Sequence, residues 1–514
     1  MNKPRLNNKI QFIIKLITSS VLFVVLLFTI ISYAAEGYIK NKINDIKELS
    51  VTNIRVAWHC NHLYLKDVIY KKNGHHVTAK KLEFINIQWF SLLKNKTIHL
   101  KEIVIKDVDI NLSNIKNKTN SKTFKNFEFA FKVNHVQIEN TNINAVKADQ
   151  KLNIKALNAD LENLEINKNN LSFKNIKYAT SKGIYTNINS DYKFTWDKID
   201  TNQKTTTLYN AHLNPLISDA EWRKKYPYKK PITELKIPKL SVSNIDYNAI
   251  IQKKSIILDK ILLKDALLTV LVDENKDPDP NAYKPLLNEL LYSSKVPIKI
   301  QEIILENNRI DIEVISKKTK QKALIFFNKI NASIHDIQNI KEHKINLELK
   351  ALVLNKNTIN LDIDFWLTPK LFPYTIKGNV SPFDFEQFNS FLLLNKRIRI
   401  HSGACTRLDF SIYGNNTKAY GDIILDYKNV KIGLFDDDEH IIEKLPTFLI
   451  NNFLIKQNNI PNTKNYRTGN MYYKRPKNRS MYHSWWYTLK SGFQSVILPN
   501  MINPKELDHK NKNT

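Results

Sequence analysis

Histidine and cysteine, the residue types that most often bind metals, cluster at one place in this 514-residue chain. His59, Cys60 and His62 lie close together, and His75 and His76 follow. Imidazole and thiolate groups of this kind bind zinc. In a strand, however, side chains alternate between two faces, so His59 and Cys60 point to opposite sides and His62 is poorly placed to join either. The sequence therefore favours structural histidines over a metal site.

An acidic segment that starts at Asp273, with the sequence DENKD, imitates the beginning of a calcium-binding loop. Such a loop needs glycine at its sixth position and glutamate at its twelfth. Here these positions hold Pro278 and Lys284. We expect a solvated surface loop.

The motifs of common enzymes are missing from the sequence. The ten glycines are too widely spaced for a G-x-G-x-x-G or Walker loop, and neither G-x-S-x-G nor H-E-x-x-H occurs. Cys60 and Cys405 are the only cysteines, so one disulfide is the most the chain can form. We expect no enzymatic activity and no cofactor. A hydrolase is the alternative that a carboxylate or histidine cluster in a pocket would support.

Basic residues stand beside aromatic residues near the C-terminus. The most distinctive are Arg475, Arg479, Tyr482, Trp485 and Trp486. Ser480 can cap a helix here, and Gly492 can end it. Such a helix suits a membrane surface, where aromatic rings sit at headgroup level and cations meet phosphates. It also suits nucleic acid, through base stacking, or a helix that closes the end of a β-sheet with its aromatic rings packed inside.

The net charge of the chain is +29, from 78 lysines and arginines against 49 aspartates and glutamates. These residues are spread along the whole sequence. An even spread favours a solvated face over a dedicated site for a polyanion.

Residues 16–35 form an uncharged stretch of twenty residues. As a helix it would rise about 30 Å, the thickness of a bilayer's hydrocarbon core. The sequence therefore predicts a transmembrane anchor with apolar positions that include Leu16, Val21, Val24, Leu27, Ile30 and Ala35.

The charges that flank this stretch predict its orientation. Lys3, Arg5, Lys9 and Lys15 precede it without an acidic residue, which keeps the N-terminus cytoplasmic and exports the rest of the chain. An exported body argues against a nucleic-acid partner. A cleaved signal peptide is the alternative, because small residues precede a possible cleavage point after Ala34.

Apolar residues recur at every second position over short runs between Val51 and Tyr427, which is the period of β-strands. A thirteen-residue pattern occurs five times within this region. The copies are LKEIVIKDVDINL from Leu100, VNHVQIENTNINA from Val133, IPKLSVSNIDYNA from Ile237, LDKILLKDALLTV from Leu258 and IQEIILENNRIDI from Ile300.

The eighth position of the pattern is always aspartate or asparagine, namely Asp107, Asn140, Asn244, Asp265 and Asn307. These residue types tolerate left-handed backbone geometry and favour turns and bulges. Each copy is thus predicted to form a strand, a bulge or turn, and a second strand. Chance alignment in a chain rich in isoleucine and asparagine is the alternative.

Alternating strands give a sheet with one apolar and one charged face, and the apolar face needs a cover. Helix candidates are few: residues 285–294, residues 381–394 and two in the tail. The prediction is a mainly β chain, with a long, curved, repetitive antiparallel sheet that forms a half-pipe groove. The predicted domains are a cytoplasmic tip with anchor (1–35), a helical connector (36–50), the groove (51–435) and a helical, basic–aromatic tail (436–514).

The order of several short motifs resembles the AsmA-like family of bacterial envelope proteins. These motifs are LYLKDV from Leu63, WFSLL from Trp89, FEQFN from Phe385, IHSG from Ile400 and GDIILDY from Gly421. The resemblance covers nearly the whole chain, although the part after Phe435 matches less clearly.

The resemblance implies an inner-membrane protein with its body in the periplasm, whose hydrophobic groove carries phospholipid or another acyl-chain lipid. It also implies a part in lipid transport or outer-membrane assembly, with a membrane and an envelope protein as partners. An exported structural or adhesive β-protein, with its apolar face buried internally, is the alternative.

Overall fold

The computed structural model describes residues 8–89, 91, 96–113, 130–167, 170–252, 254–434 and 456–498, and in the first helix it describes side chains from Val24 onward. The chain is mainly β, with 59% of residues in strands and 16% in helices. This confirms the predicted fold class at that level.

The chain divides into two compact units. Unit 1 comprises residues 1–190 and 194–206, and unit 2 comprises residues 191–193 and 207–514. The division falls inside the predicted groove domain, so each unit is described by itself.

Unit 1 begins with helix α1, Asn8–Asn44, and continues into β-structure. Its strands are β1 Leu49–Val56, β2 His62–Lys72, β3 His75–Ile87, β4 Thr97–Leu112, β5 Ala130–Lys147, β6 Gln150–Asn167, β7 Asn170–Ser172, β8 Asn175–Asn187 and most of β9 Tyr192–Asn202. The helix thus extends over most of the predicted connector and ends at Asn44.

No helix among the described residues combines the length and the apolarity that crossing a membrane requires. Of the predicted anchor, Leu16 and Val21 lie outside the described side chains. Val24, Leu27 and Ile30 are exposed. The transmembrane anchor remains a prediction.

Strands β1 to β4 pair in sequence as an antiparallel sheet. Strand β5 then pairs parallel to β4, and β6 returns antiparallel to β5 and carries both β7 and β8. The sheet is therefore mixed, and the prediction of a purely antiparallel sheet is wrong. Parallel neighbours need a connection that brings the chain back to the same end. Residues 113–129 lie between β4 and β5 in the sequence, and all of them except residue 113 lie outside the described part of the chain.

The described part of unit 2 contains the remaining strands and five helices. The strands are most of β10 Thr205–Pro215, β11 Ile232–Ser243, β12 Ile256–Lys264, β13 Leu267–Asp273, β14 Ile298–Ile315, β15 Lys322–Gln338, β16 Lys344–Val353, β17 Asn357–Trp366, β18 Tyr374–Val380, β19 Phe383–Asp384, β20 Ile398–Gly414, β21 Lys418–Leu434 and β22 Gly469–Lys474. The helices are α2 Asp219–Lys225, α3 Tyr247–Ile251, α4 Leu287–Tyr292, α5 Asn389–Lys396 with a 3₁₀ turn at Phe385–Phe388 before it, and α6 Met481–Ile497.

In unit 2, β11 pairs antiparallel with both β12 and β13, and these two strands in turn lie parallel to β14. From β14 the sheet is antiparallel through β15, β16, β17, β18, β20, β21 and β22, with β19 paired to β20. The predicted tail therefore contributes a strand as well as a helix.

Sequence analysis missed two of the short helices, although both carry capping signals. Ser218 accepts the backbone N–H of Glu221, whose side chain bonds back to Ser218, and this capping box starts α2. Asp246 accepts the N–H of Ala249 at 2.9 Å and starts α3.

Candidate functional site

Two pairs of sequence repeats become parallel strand neighbours in register. Leu100 lies opposite Val133, and Leu258 lies opposite Ile300, so equal positions of the two copies stand side by side. The first pair belongs to unit 1 and the second to unit 2. Each unit is thus built around the same two-copy arrangement.

The eighth residue of every copy has the left-handed geometry that its type predicts. The φ angles are 51° at Asp107, 49° at Asn140, 51° at Asn244, 55° at Asp265 and 52° at Asn307. In both parallel pairs the asparagine amide donates to the neighbouring aspartate at 2.6 Å, as Asn140 does to Asp107 and Asn307 to Asp265. The prediction of a bulge or turn at this position is confirmed.

The copy that starts at Ile237 departs from the pattern in its second half. Its first half forms β11, but after Asn244 the chain enters α3, so the predicted second strand is wrong there. Asp246 is the local reason, since its carboxylate caps a helix two residues after the turn.

Ion pairs between neighbouring strands cover the polar face of both units. Lys106 pairs with Glu139 at 2.8 Å in unit 1, and at the same repeat position Lys264 pairs with Glu306 at 3.8 Å in unit 2. The hydrogen bond to Glu139 raises the pKa of Lys106. Exposed pairs of this kind contribute little stability but disfavour a slip in strand register.

A histidine lies between two carboxylates on the polar face of unit 1. The Nδ1 atom of His135 is 3.1 Å from Glu102, and its Nε2 atom is 2.5 Å from Asp160. Glu162, also on β6, accepts hydrogen bonds from Asn175 and Lys177 of β8, and these bonds lower its pKa. These contacts join β4, β5, β6 and β8 through their side chains.

The opposite face of unit 1 carries a layer of apolar side chains, which we call the open apolar face. Its centre is the buried trio Leu100, Val133 and Val136. Around the trio lie half-buried residues, namely Phe84, Ile87, Ile98, Ile103, Ile105, Ile138, Leu161 and Leu164. Strand register makes the layer continuous, since Ile103 lies opposite Val136 and Val136 opposite Leu161.

All members of the open apolar face come from β3, β4, β5 and β6, which are neighbours in one layer. No helix occurs among the residues described between 96 and 206. Helix α1 packs its residues Ile39 and Ile43 on the neighbouring cluster around Ile54 and Leu65, which shares Phe84 and Ile105 with the open apolar face. Among the described residues, the cluster around Leu100, Val133 and Val136 therefore contains strand residues only.

The apolar face of unit 2 is covered by its helices. Its core contains completely buried strand residues such as Ile412, Ile423 and Leu425. Helical residues complete the same core, among them Leu291, Met481, Leu489, Phe493 and Val496. The expectation that the helices are too few to cover the sheet is therefore wrong for this core, because residues of α4 and α6 pack on it.

A cavity of about 840 Å³ lies on the polar side of the unit 2 sheet, and the sequence analysis missed it. Asp422 and Ile424 line it, whereas Ile423 between them belongs to the core. Its charged lining residues are Glu306, Glu348, Lys350, Asp362, Lys377, Asp409 and Asp422. Alternating polar positions along these strands were the only available signal, and that signal is shared by any solvated face.

Two of the residues considered for metal binding make other contacts. The His62 ring stacks on Tyr64 at 4.7 Å, and the carbonyl oxygen of Cys60 accepts the Trp89 indole at 2.8 Å. No set of three or more potential ligands that could hold a metal occurs among the described residues. In the acidic loop, Glu274 pairs with Lys396 at 2.9 Å.

The C-terminal helix α6 begins at the predicted cap, since the Ser480 side chain accepts the N–H of His483 at 3.3 Å. Gly492 does not end it, and α6 continues to Ile497. A Cβ at Gly492 would lie 2.5 Å from Met471, so this glycine allows a close approach between α6 and β22.

The five residues predicted to contact a membrane divide between core and surface. Arg475 is 4% exposed and donates to the carbonyl oxygens of Lys284, Asn416 and Arg479, so its prediction as a surface residue is wrong. Three backbone acceptors make burial of this guanidinium tolerable.

Trp485 packs against the unit 2 core, with its ring 6.1 Å from that of Tyr374. Tyr482 and Trp486 are exposed, at 61% and 57%. Arg479 is half-buried. The helix thus closes a core on one side and presents aromatic rings on the other.

A comparison with protein-family models and with curated proteins gives no match, so the resemblance to the AsmA-like family rests on the quoted motifs alone.

Proposed function

We propose that this chain is a non-enzymatic envelope protein that binds acyl-chain lipids on the open apolar face of unit 1. In this proposal, residues 16–35 anchor it in the inner membrane and the β-body lies in the periplasm. There it contributes to lipid transport or outer-membrane assembly. The observation that carries the proposal is the layer of half-buried apolar side chains on β3 to β6.

The energetics of lipid transfer favour a surface of this kind. Moving a sixteen-carbon chain from a bilayer into water costs roughly 12 kcal/mol, at about 0.8 kcal/mol per methylene group. A continuous apolar layer removes much of this cost and needs no titratable group. The cavity on unit 2 has a mixed lining, in which charged side chains stand beside apolar ones such as Leu349 and Ile424. Its carboxylates and lysines lose hydration when an acyl chain covers them, which makes it the less suitable of the two surfaces.

Co-purification provides the first test. The full-length chain is extracted from cells under mild conditions, and bound lipids are identified by mass spectrometry. We expect acyl-chain lipids at a stoichiometric level. Their absence from a folded preparation contradicts the proposal.

A pair of substitutions locates the binding surface. Ile105 and Ile138 are register neighbours on the open apolar face, so Ile105→Asp with Ile138→Asp places two charges where the chain would lie. The matched control, Lys106→Gln with Glu139→Gln, alters the opposite face of the same two strands. We expect the first pair to remove bound lipid and the second to keep it, with circular dichroism confirming that both variants fold.

An exported structural or adhesive β-protein is the second candidate, and the filled core of unit 2 favours it. It predicts no stoichiometric lipid in the folded protein and no effect of the Ile105 and Ile138 substitutions on lipid content. Photo-crosslinking from the position of Ile138 to a diazirine fatty acid in living cells separates the two candidates directly.

A further inference from the structure

The outer side of α6 carries exposed aromatic rings that the core does not use. Tyr482, Trp486 and Tyr487 are 61%, 57% and 39% exposed. Tyr482 and Trp486 are four residues apart and therefore lie on one face of the helix. Met481 and Thr488, on the other side, are buried.

Several cations accompany these rings. The segment 456–498 contains eight lysines and arginines and neither aspartate nor glutamate. Lys477, Arg479 and Lys490 take part in none of the ion pairs found in the described part of the chain. The Lys490 ammonium lies 5.3 Å from the centre of the Tyr487 ring.

Neighbouring groups experience this excess of positive charge. Burial, followed by Arg479 and Lys229, lowers the pKa of His483 to about 4. Burial and Arg479 also lower the pKa of Lys229, although the carboxylates of Glu274, Asp277 and Asp273 oppose that shift. Because the segment 456–498 itself carries eight positive charges and no negative one, its surface attracts anions.

The segment before α6 holds this surface in place. The Asn478 side chain donates to the carbonyl oxygen of Asp279 at 2.9 Å, and the N–H of Lys284 donates to that of Lys477 at 2.8 Å. Together with the buried Arg475 contacts, these bonds fix the start of the helix on the unit 2 body. The surface is therefore preorganised.

We propose that the basic–aromatic surface formed by Lys477, Arg479, Tyr482, Trp486, Tyr487 and Lys490 docks unit 2 on an anionic lipid membrane. Amphipathic aromatic rings favour the headgroup layer, and each nearby lysine or arginine adds attraction to anionic lipid. Base stacking is less suited, because His483 stacks on Tyr487 at 4.1 Å and occupies one face of that ring. This inference concerns unit 2 and does not depend on the lipid-binding face of unit 1.

The test uses the full-length chain reconstituted with vesicles of phosphatidylcholine, with or without phosphatidylglycerol. Because residues 16–35 can attach the chain to vesicles by themselves, the readout is local. It is the quenching of Trp486 fluorescence by brominated lipid, obtained as the difference between the protein and its Trp486→Phe variant. We expect quenching that needs phosphatidylglycerol and weakens as salt is raised.

Charge reversal identifies the cause of docking. The variant Lys477→Glu, Arg479→Glu, Lys490→Glu should lose most of the Trp486 quenching. The control variant Lys317→Glu, Lys356→Glu, Lys370→Glu reverses three exposed lysines elsewhere on unit 2 and should keep it. Hydrogen–deuterium exchange of α6 without vesicles verifies that each variant is folded. A second variant, Trp486→Ser, changes no charge. In it we expect anionic vesicles to slow the hydrogen exchange of α6 less than in the unchanged protein.

Three outcomes overturn the inference: no quenching on anionic vesicles, equal loss in the control variant, or displacement of the protein from vesicles by a single-stranded oligonucleotide. Lipid mass spectrometry on the charge-reversed protein distinguishes the two proposals. If only membrane docking by α6 is lost, the amount of acyl-chain lipid bound to the protein stays unchanged.

Discussion

Units 1 and 2 share a two-copy repeat but differ in what packs on its apolar face. In unit 1 the members of the open apolar face come from one layer of strands, and most of them are half-buried. In unit 2 short helices cover the sheet, and residues such as Ile423 and Leu425 are completely buried. The repeat thus specifies a two-faced strand pair, and the segments inserted around it decide whether the apolar face is closed.

The largest expected difference between the units concerns truncation of apolar side chains. Leu425→Ala removes a fully buried side chain from unit 2 and should cost about 3 kcal/mol. Ile138→Ala in unit 1 should cost only about 1 kcal/mol, because the side chain is half-buried and water already reaches it. Urea unfolding, followed by hydrogen exchange in each unit, measures both values. Equal losses would contradict the contrast between a covered and an open face.

Acid should weaken unit 2 through His483. Its folded pKa, about 4, lies below the ordinary value of 6.5, so the unfolded chain binds more protons between these values. The free energy of unfolding is therefore unaffected by this histidine above pH 6.5. It should fall by roughly 2 kcal/mol as the pH is lowered toward 4, because the folded state resists protonation of His483.

The variant His483→Gln isolates this effect, because it cannot titrate. Chemical unfolding of both proteins at pH 7 and pH 4.5 gives the two pH dependences. We expect a shallower dependence in the variant within unit 2 and no change within unit 1. Identical slopes for the two proteins would exclude His483 as the cause.

The smallest expected effect concerns the eighth repeat position, where the two units should behave alike. Asn140→Val forces a branched residue into a φ of 49° and removes the bond to Asp107, at a cost of about 1 kcal/mol or slightly more. Asn140→Gly keeps the backbone geometry and should cost less. Asn307 offers the same pair of variants in unit 2, with Asp265 as partner. Thermal unfolding compares all four, and a larger loss for glycine than for valine would rule out backbone strain.

Features that depend on neighbours in sequence were predictable. The strand period, the left-handed residue in each copy and the cap at Ser480 all follow from residue type at a fixed spacing. The two missed helices carried signals of the same local kind, at Ser218 and Asp246.

Features that depend on distant partners were not predictable. The direction of pairing between β4 and β5 is one such feature, because the alternation of apolar and polar residues looks the same in parallel and antiparallel strands. The polar cavity of unit 2 gives no special sequence signal for the same reason. It is formed by several strands that each carry an ordinary solvated face.

The sequence by itself determined the β-rich class, the repeat and the place of its bulge, because steric preferences act within a few residues. Only the tertiary structure decided that unit 2 is covered while the described face of unit 1 is open, and that Arg475 is buried while Trp486 is exposed. Burial is a property of what packs against a side chain, and for Arg475 the acceptors include Lys284, 191 residues away along the chain.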